Sequence, residues 1–208
     1  MKKKILWFLF ALFAILIGLY PSIYFFMDGK TGLLSSKPDW ILNSTVWHIS
    51  FYTHILLGGL ALLIGWLQFN NKIRINKPQV HRNIGKIYIV SVLVSAIAGF
   101  YIALFAEQGL WASLGFVCLA IIWFTTTLMG YITIRNKQII NHQIFMIYSY
   151  AACFAAVTLR IWLPLLIMST GNFGKSYIIV AWLCWIPNLL VAHLIVRKLA
   201  TQKTRVAF

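Results

Sequence analysis

Five histidines and one arginine within an apolar stretch are the residues most able to do chemistry in this 208-residue chain. His81 and His142 each open an apolar run of helical length, and each heads a stripe at helical spacing. The first stripe is His81, Gly85, Tyr88, Val92, Ser95 and Gly99; the second is His142, Phe145, Ser149, Cys153, Ala156 and Arg160. A third stripe, on the run before His81, comprises His54, Gly58, Ala61, Gly65 and Gln68. Imidazole is an axial ligand of haem iron, and a helix bundle is a usual place to hold that cofactor. Two histidines at matching depth on alternate helices are what bis-histidine ligation requires. Small residues along the same faces admit either a flat cofactor or a close-packed neighbouring helix. Both readings stand at this level.

The elements that position these residues follow from composition. Apolar residues make up 61% of the chain and charged residues only 10%, too few to build a water-facing surface. The net charge of +15 would suggest nucleic acid in a soluble protein; in a chain this apolar it reads as loop charge instead, with no nucleic-acid partner. Three cysteines without a C-x-x-C spacing give neither a disulfide framework nor a thiolate zinc site. Cys118, Cys153 and Cys184 read as small core residues.

Six runs are long enough to cross a bilayer: about 5–27, 46–69, 82–106, 110–134, 143–166 and 176–197. The expected fold is all-α, a polytopic membrane protein forming one transmembrane domain over 1–208. The first run reads as an uncleaved helix. Fourteen of the eighteen basic residues fall on one side: Lys2–Lys4, the 70–86 connection, Arg135, Lys137 and the tail. Lys30, Lys37, Lys175 and all three acids, Asp28, Asp39 and Glu107, fall on the other. Under the positive-inside rule both termini are cytoplasmic. Trp40, Trp47, Trp111 and Tyr177 are then expected in an aromatic belt at the outer interface.

The connections 69–89 and 133–150 each carry Asn-Lys, then a helix-opening histidine, then a tyrosine about two turns on (Tyr88, Tyr148). This pattern suggests two parallel hairpins and a four-helix core from helices two to five; shared loop composition accounts for it equally well. His81 and His142 are then expected near the cytoplasmic face, with Arg82 and Lys86 placed to meet haem propionates. His54 lies toward the outside. His48 and His193 read as interfacial. Arg160 is within about a turn of the outer interface if helix five ends at Pro164. There it would snorkel to water, pair with Glu107 or Asp39, or bind an anionic group of a cofactor or substrate. Arg160, His54 and Gln68 are the expected lining of an outer or central polar pocket. No catalytic triad, phosphate loop or intramembrane carboxylate is present.

H-R-x-x-G-x-x-Y at 81–88, Gly115-Phe116, and H-x-x-x-M-x-x-S-Y followed by T-L-R at 142–160 resemble the DUF2306 family of bacterial predicted membrane proteins, in order over about 46–168. The resemblance implies a helical protein of the bacterial cytoplasmic (inner) membrane and no particular activity. More distantly, the chain resembles the di-haem ascorbate-reducible cytochromes b and their ferric-reductase relatives. That likeness implies His81 and His142 as one haem-iron ligand pair and His54 as half of another; helix four lacks the histidine that a second haem needs. The leading expectation is a protein that binds haem b, or a quinone, and moves electrons within the membrane. If it is an enzyme, it is a membrane oxidoreductase. The alternatives are a non-redox small-molecule binding or transport protein, and an assembly factor for a membrane complex.

Overall fold

The structure is a computed structural model that describes residues 2–26, 34–35 and 37–206. Asp28 and Lys30 lie outside the described residues, and of Lys203 and Arg205 only the backbone is described. Among the described residues, six helices are long and apolar enough to span a membrane: α1 (Lys4–Phe25), α2 (Thr45–Phe69), α3 (Pro78–Ala103), α4 (Leu110–Arg135), α5 (Ile139–Thr170) and α6 (Phe173–Leu199). The protein is an all-helical, multi-pass membrane protein. Leu6, Phe8, Val90, Ile97, Leu190 and Leu194 are exposed while Ser91, Ser95, Thr127, Ser149 and Ser176 are buried. Apolar outside and hydroxylic inside is the arrangement that a hydrocarbon solvent selects.

Local chemistry sets the helix ends. The Ser44 hydroxyl accepts from Trp47 N at 3.3 Å and starts α2. Asn70 caps the short helix Asn71–Asn76 through Lys72 N. Pro78 then begins α3 at the position where its missing N–H costs nothing. The third and fifth helices therefore start a few residues before the apolar runs, and His81 and His142 both sit in the first turns, as helix-opening residues. At the other end, α5 does not stop at Pro164. It continues to Thr170 and closes on Gly171, which takes the left-handed conformation at φ 64°.

The chain divides into two compact units, Met1–Phe105 and Ala106–Phe208. In the first, α2 and α3 form a tightly packed hairpin and α1 lies against α2. Gly18 and Gly59 face each other across α1 and α2, and a Cβ on Gly59 would fall 2.7 Å from the Gly18 carbonyl oxygen. The sequence stripe had singled out Gly58; the residue that makes this contact is its neighbour. Away from the basic connection, Leu34, Ile41 and Leu42 pack on an aromatic cluster. Trp47 stacks on Phe51 at 5.1 Å there and is 1% exposed, so it is a core residue rather than part of a belt. Tyr177 in the second unit is also buried, whereas Trp40 and Trp111 are exposed as a belt requires. The Lys37 ammonium donates to Phe105 O at 2.7 Å, capping the carbonyl end of α3.

In the second unit, α4 and α5 form the corresponding hairpin and α6 packs on both. Here α5 is broken at Phe154, between Ile139–Cys153 and Ala155–Thr170, and α6 at Cys184–Trp185, between Phe173–Leu183 and Ile186–Val206. The two breaks face each other. Pro187 lacks the N–H that would bond Leu183 O, and side chains make good the disturbed backbone. The Thr158 hydroxyl donates to Cys184 O. The Asn188 amide donates to Cys184 O at 3.0 Å, to Thr158 Oγ1 at 3.1 Å and to Ala151 O at 3.3 Å. Asn188→Leu, close in volume but without the amide, is expected to cost about 1–3 kcal/mol of stability because it strands acceptors in an apolar interior. A denaturant titration in micelles reads this; a loss below about 0.5 kcal/mol means that the amide does not brace the break.

Candidate functional site

Each stripe found in the sequence is a buried or half-buried face. On α3, Tyr88, Val92, Ser95 and Gly99 are buried against α2. His54 enters the gap left by Gly99, where an added Cβ would come within 2.6 Å of its Nδ1. Its Nδ1 lies 2.9 Å from Ser95 O, and the Ser95 hydroxyl donates back to His54 O at 2.9 Å. A carbonyl can only accept, so Nδ1 carries the proton and Nε2 is the basic nitrogen. Gln68 lies over Gly85, with Oε1 3.5 Å from where a Cβ would be. Its Nε2 is buried and has no hydrogen-bond partner among the described residues. Gly85 is one helical turn along α3 from His81, which is half-buried. Arg82 and Lys86 on the same helix are exposed.

The second unit repeats the imidazole chemistry with different partners. His142 Nδ1 donates to Gly130 O of α4 at 2.8 Å, which again makes Nε2 the basic nitrogen. Beside it, Met146 fills the Gly130 gap, and one turn further the Ser149 and Thr127 hydroxyls bond each other at 2.7 Å. An imidazole held through Nδ1–H by a backbone carbonyl is the usual condition of a ligating histidine, because that bond fixes the ring and raises the basicity of Nε2. The same bond also joins two helices, so it serves packing whether or not a ligand is bound.

Arg160 is placed differently from the sequence expectation. Since α5 runs to Thr170, Arg160 stands ten residues, about 15 Å of helix, before its end. Its Nη1 donates to Ala156 O at 2.8 Å, one turn back toward the middle of the helix. Pro164, four residues on, has no N–H to offer Arg160 O.

The structure thus holds His54 and Gln68 in separate gaps fourteen residues apart along α2, and places Arg160 and His142 on α5 of the second unit. His48, read as interfacial, donates from Nε2 to Leu42 O at 2.6 Å, and His193 Nδ1 meets the Tyr148 hydroxyl at 3.0 Å. Sequence reasoning missed the Thr158–Asn188 brace. The signal was available in Pro187, a helix breaker in the middle of an apolar run, directly followed by an amide. No curated protein and no solved structure matches the chain. The family comparison does match, over residues 51–196, and that stretch takes in His54, His81, His142, His193 and both helix breaks. The chain belongs to the predicted membrane protein family DUF2306.

Proposed function

We propose that the protein binds haem b and carries electrons within a bacterial cytoplasmic membrane, with both termini on the cytoplasmic side. The observation that carries this reading is the His142 imidazole, whose Nδ1–H is tied to Gly130 O at 2.8 Å so that Nε2 is the ligating nitrogen. His81, which opens the corresponding helix of the first hairpin, is proposed as an iron ligand in its own right. The buried Gln68 amide near that end is a donor in want of an acceptor, which a propionate carboxylate provides. Arg82 and Lys86 add the positive charge that propionates favour. Haem would supply reversible one-electron chemistry, and the protein's part is ligand identity, burial and nearby charge.

A visible spectrum of the detergent-purified protein, oxidised and then reduced with dithionite, tests the proposal. A Soret band that shifts on reduction, with sharp visible bands, is the expected result. A protein that stays colourless after expression with added haem precursor overturns it. The second reading, small-molecule transport, draws on a separate observation: two spanning helices broken at one level, as in transporters built from discontinuous helices.

A further inference from the structure

The strongest unassigned feature lies in the first unit, on α2, about 160° around the helix from His54. A groove of about 480 Å³ is lined there by His48, Ile49, Tyr52, Thr53, Leu56 and Leu57. Ile49 and Leu56 are exposed on a membrane-spanning helix, so whatever fills the groove must be soluble in hydrocarbon. Its polar groups are specific in kind. The threonines at 125, 126, 127, 133 and 158 each turn their hydroxyl back to a carbonyl of their own helix. Thr53 makes no such bond, and neither it nor the Tyr52 hydroxyl has a hydrogen bond among the described residues. An unpaired hydroxyl in lipid is costly, so two of them side by side call for a polar partner. His48 donates from Nε2 to Leu42 O, which leaves Nδ1 as an acceptor. Its ring lies nearly parallel to that of Tyr52, 18° apart with centroids at 6.2 Å.

We infer that this groove binds the head of an isoprenoid quinone or quinol. The lining offers two hydroxyls and one imidazole, and no Lys or Arg to hold a phospholipid phosphate. The two hydroxyls can donate to quinone carbonyls, and the imidazole nitrogen can accept from a quinol hydroxyl. Leu56 and Leu57 continue the groove for an apolar tail. The inference rests on the electron-transfer reading for its purpose, although its geometry is independent of haem.

The test is equilibrium binding of a radiolabelled short-chain ubiquinone analogue to the full chain in detergent, beside Thr53→Val and Tyr52→Phe. Both replacements keep shape and remove one hydroxyl, and unchanged thermal midpoints check their folding. The parent is expected to bind saturably, each variant about tenfold more weakly, and the double variant about a hundredfold. No saturable binding, equal binding by parent and both variants, or full displacement by an equal concentration of zwitterionic phospholipid overturns the assignment. Haem content is read on the same preparations. Quinone binding without haem sinks the haem proposal and keeps the groove; haem without quinone binding does the opposite.

Discussion

Under the haem proposal, a His142→Ala protein is expected to purify colourless while keeping its helical content. In the proposed reading the imidazole ligates iron through Nε2, and it also hydrogen-bonds through Nδ1 to Gly130 O at 2.8 Å. Losing the first removes an iron ligand outright, so the expected change is complete loss of the reduced Soret band. Losing the second costs about 1 kcal/mol of packing between α4 and α5, within what a folded membrane protein tolerates. His142→Asn helps to separate the two roles, because an amide can restore the bond to the carbonyl and cannot replace imidazole at haem iron. Both variants should therefore be colourless, with the asparagine form the more stable to denaturant. The same loss is expected for His81→Ala. Full haem retention in both alanine variants would remove the ligand assignment.

The second large effect is mechanical. Gly59→Ala adds one methyl group 2.7 Å from the backbone oxygen of Gly18, and a backbone atom cannot swing aside. The helices α1 and α2 must separate, at a cost of about 1–3 kcal/mol. Gly174→Ala is the internal comparison. Its Cβ would come even closer to a neighbour, 2.6 Å, but that neighbour is the end of the exposed Gln108 side chain, which can rotate away. Alanine also suits a helix better than glycine, so Gly174→Ala should be neutral or slightly stabilising. Unfolding of the two variants in the same micelles decides the matter. Equal destabilisation would mean that the close approach at Gly18 is relieved cheaply and is not a packing determinant.

Most of the fold could be read from apolar length alone, because a bilayer asks for about twenty apolar residues per crossing and for little else. All six spans follow from that requirement. The ends were harder. Pro78 falls among charged and amide residues, so its role as a helix starter has no hydropathy signal, and Pro164 looks like a stop although the helix passes through it. Periodicity identified the buried face of α3 correctly, since Tyr88, Val92, Ser95 and Gly99 are all buried, but it could not say what fills each gap. Spacing gives a face and a depth. It does not say that His54 occupies the Gly99 gap, that Gln68 covers Gly85, or that the Thr53 hydroxyl bonds no carbonyl of its own helix. Those facts depend on the register between two antiparallel helices, which only the folded hairpin supplies.

The break at Phe154 bears on how the protein meets its membrane. At 1.5 Å per residue the 32 residues of α5 measure about 48 Å, against a hydrocarbon core of about 30 Å. A straight rod of that length would have to lean steeply or carry apolar turns into water, each ångström of mismatch costing a fraction of a kcal/mol. A jointed rod has another choice: its two segments can lean at different angles, with Asn188 bonded on both sides of the joint, to Ala151 O and to Thr158 Oγ1. Bilayer thickness then becomes a variable to which this helix can respond. A thinner bilayer should close the angle at Phe154, and a thicker one should straighten it.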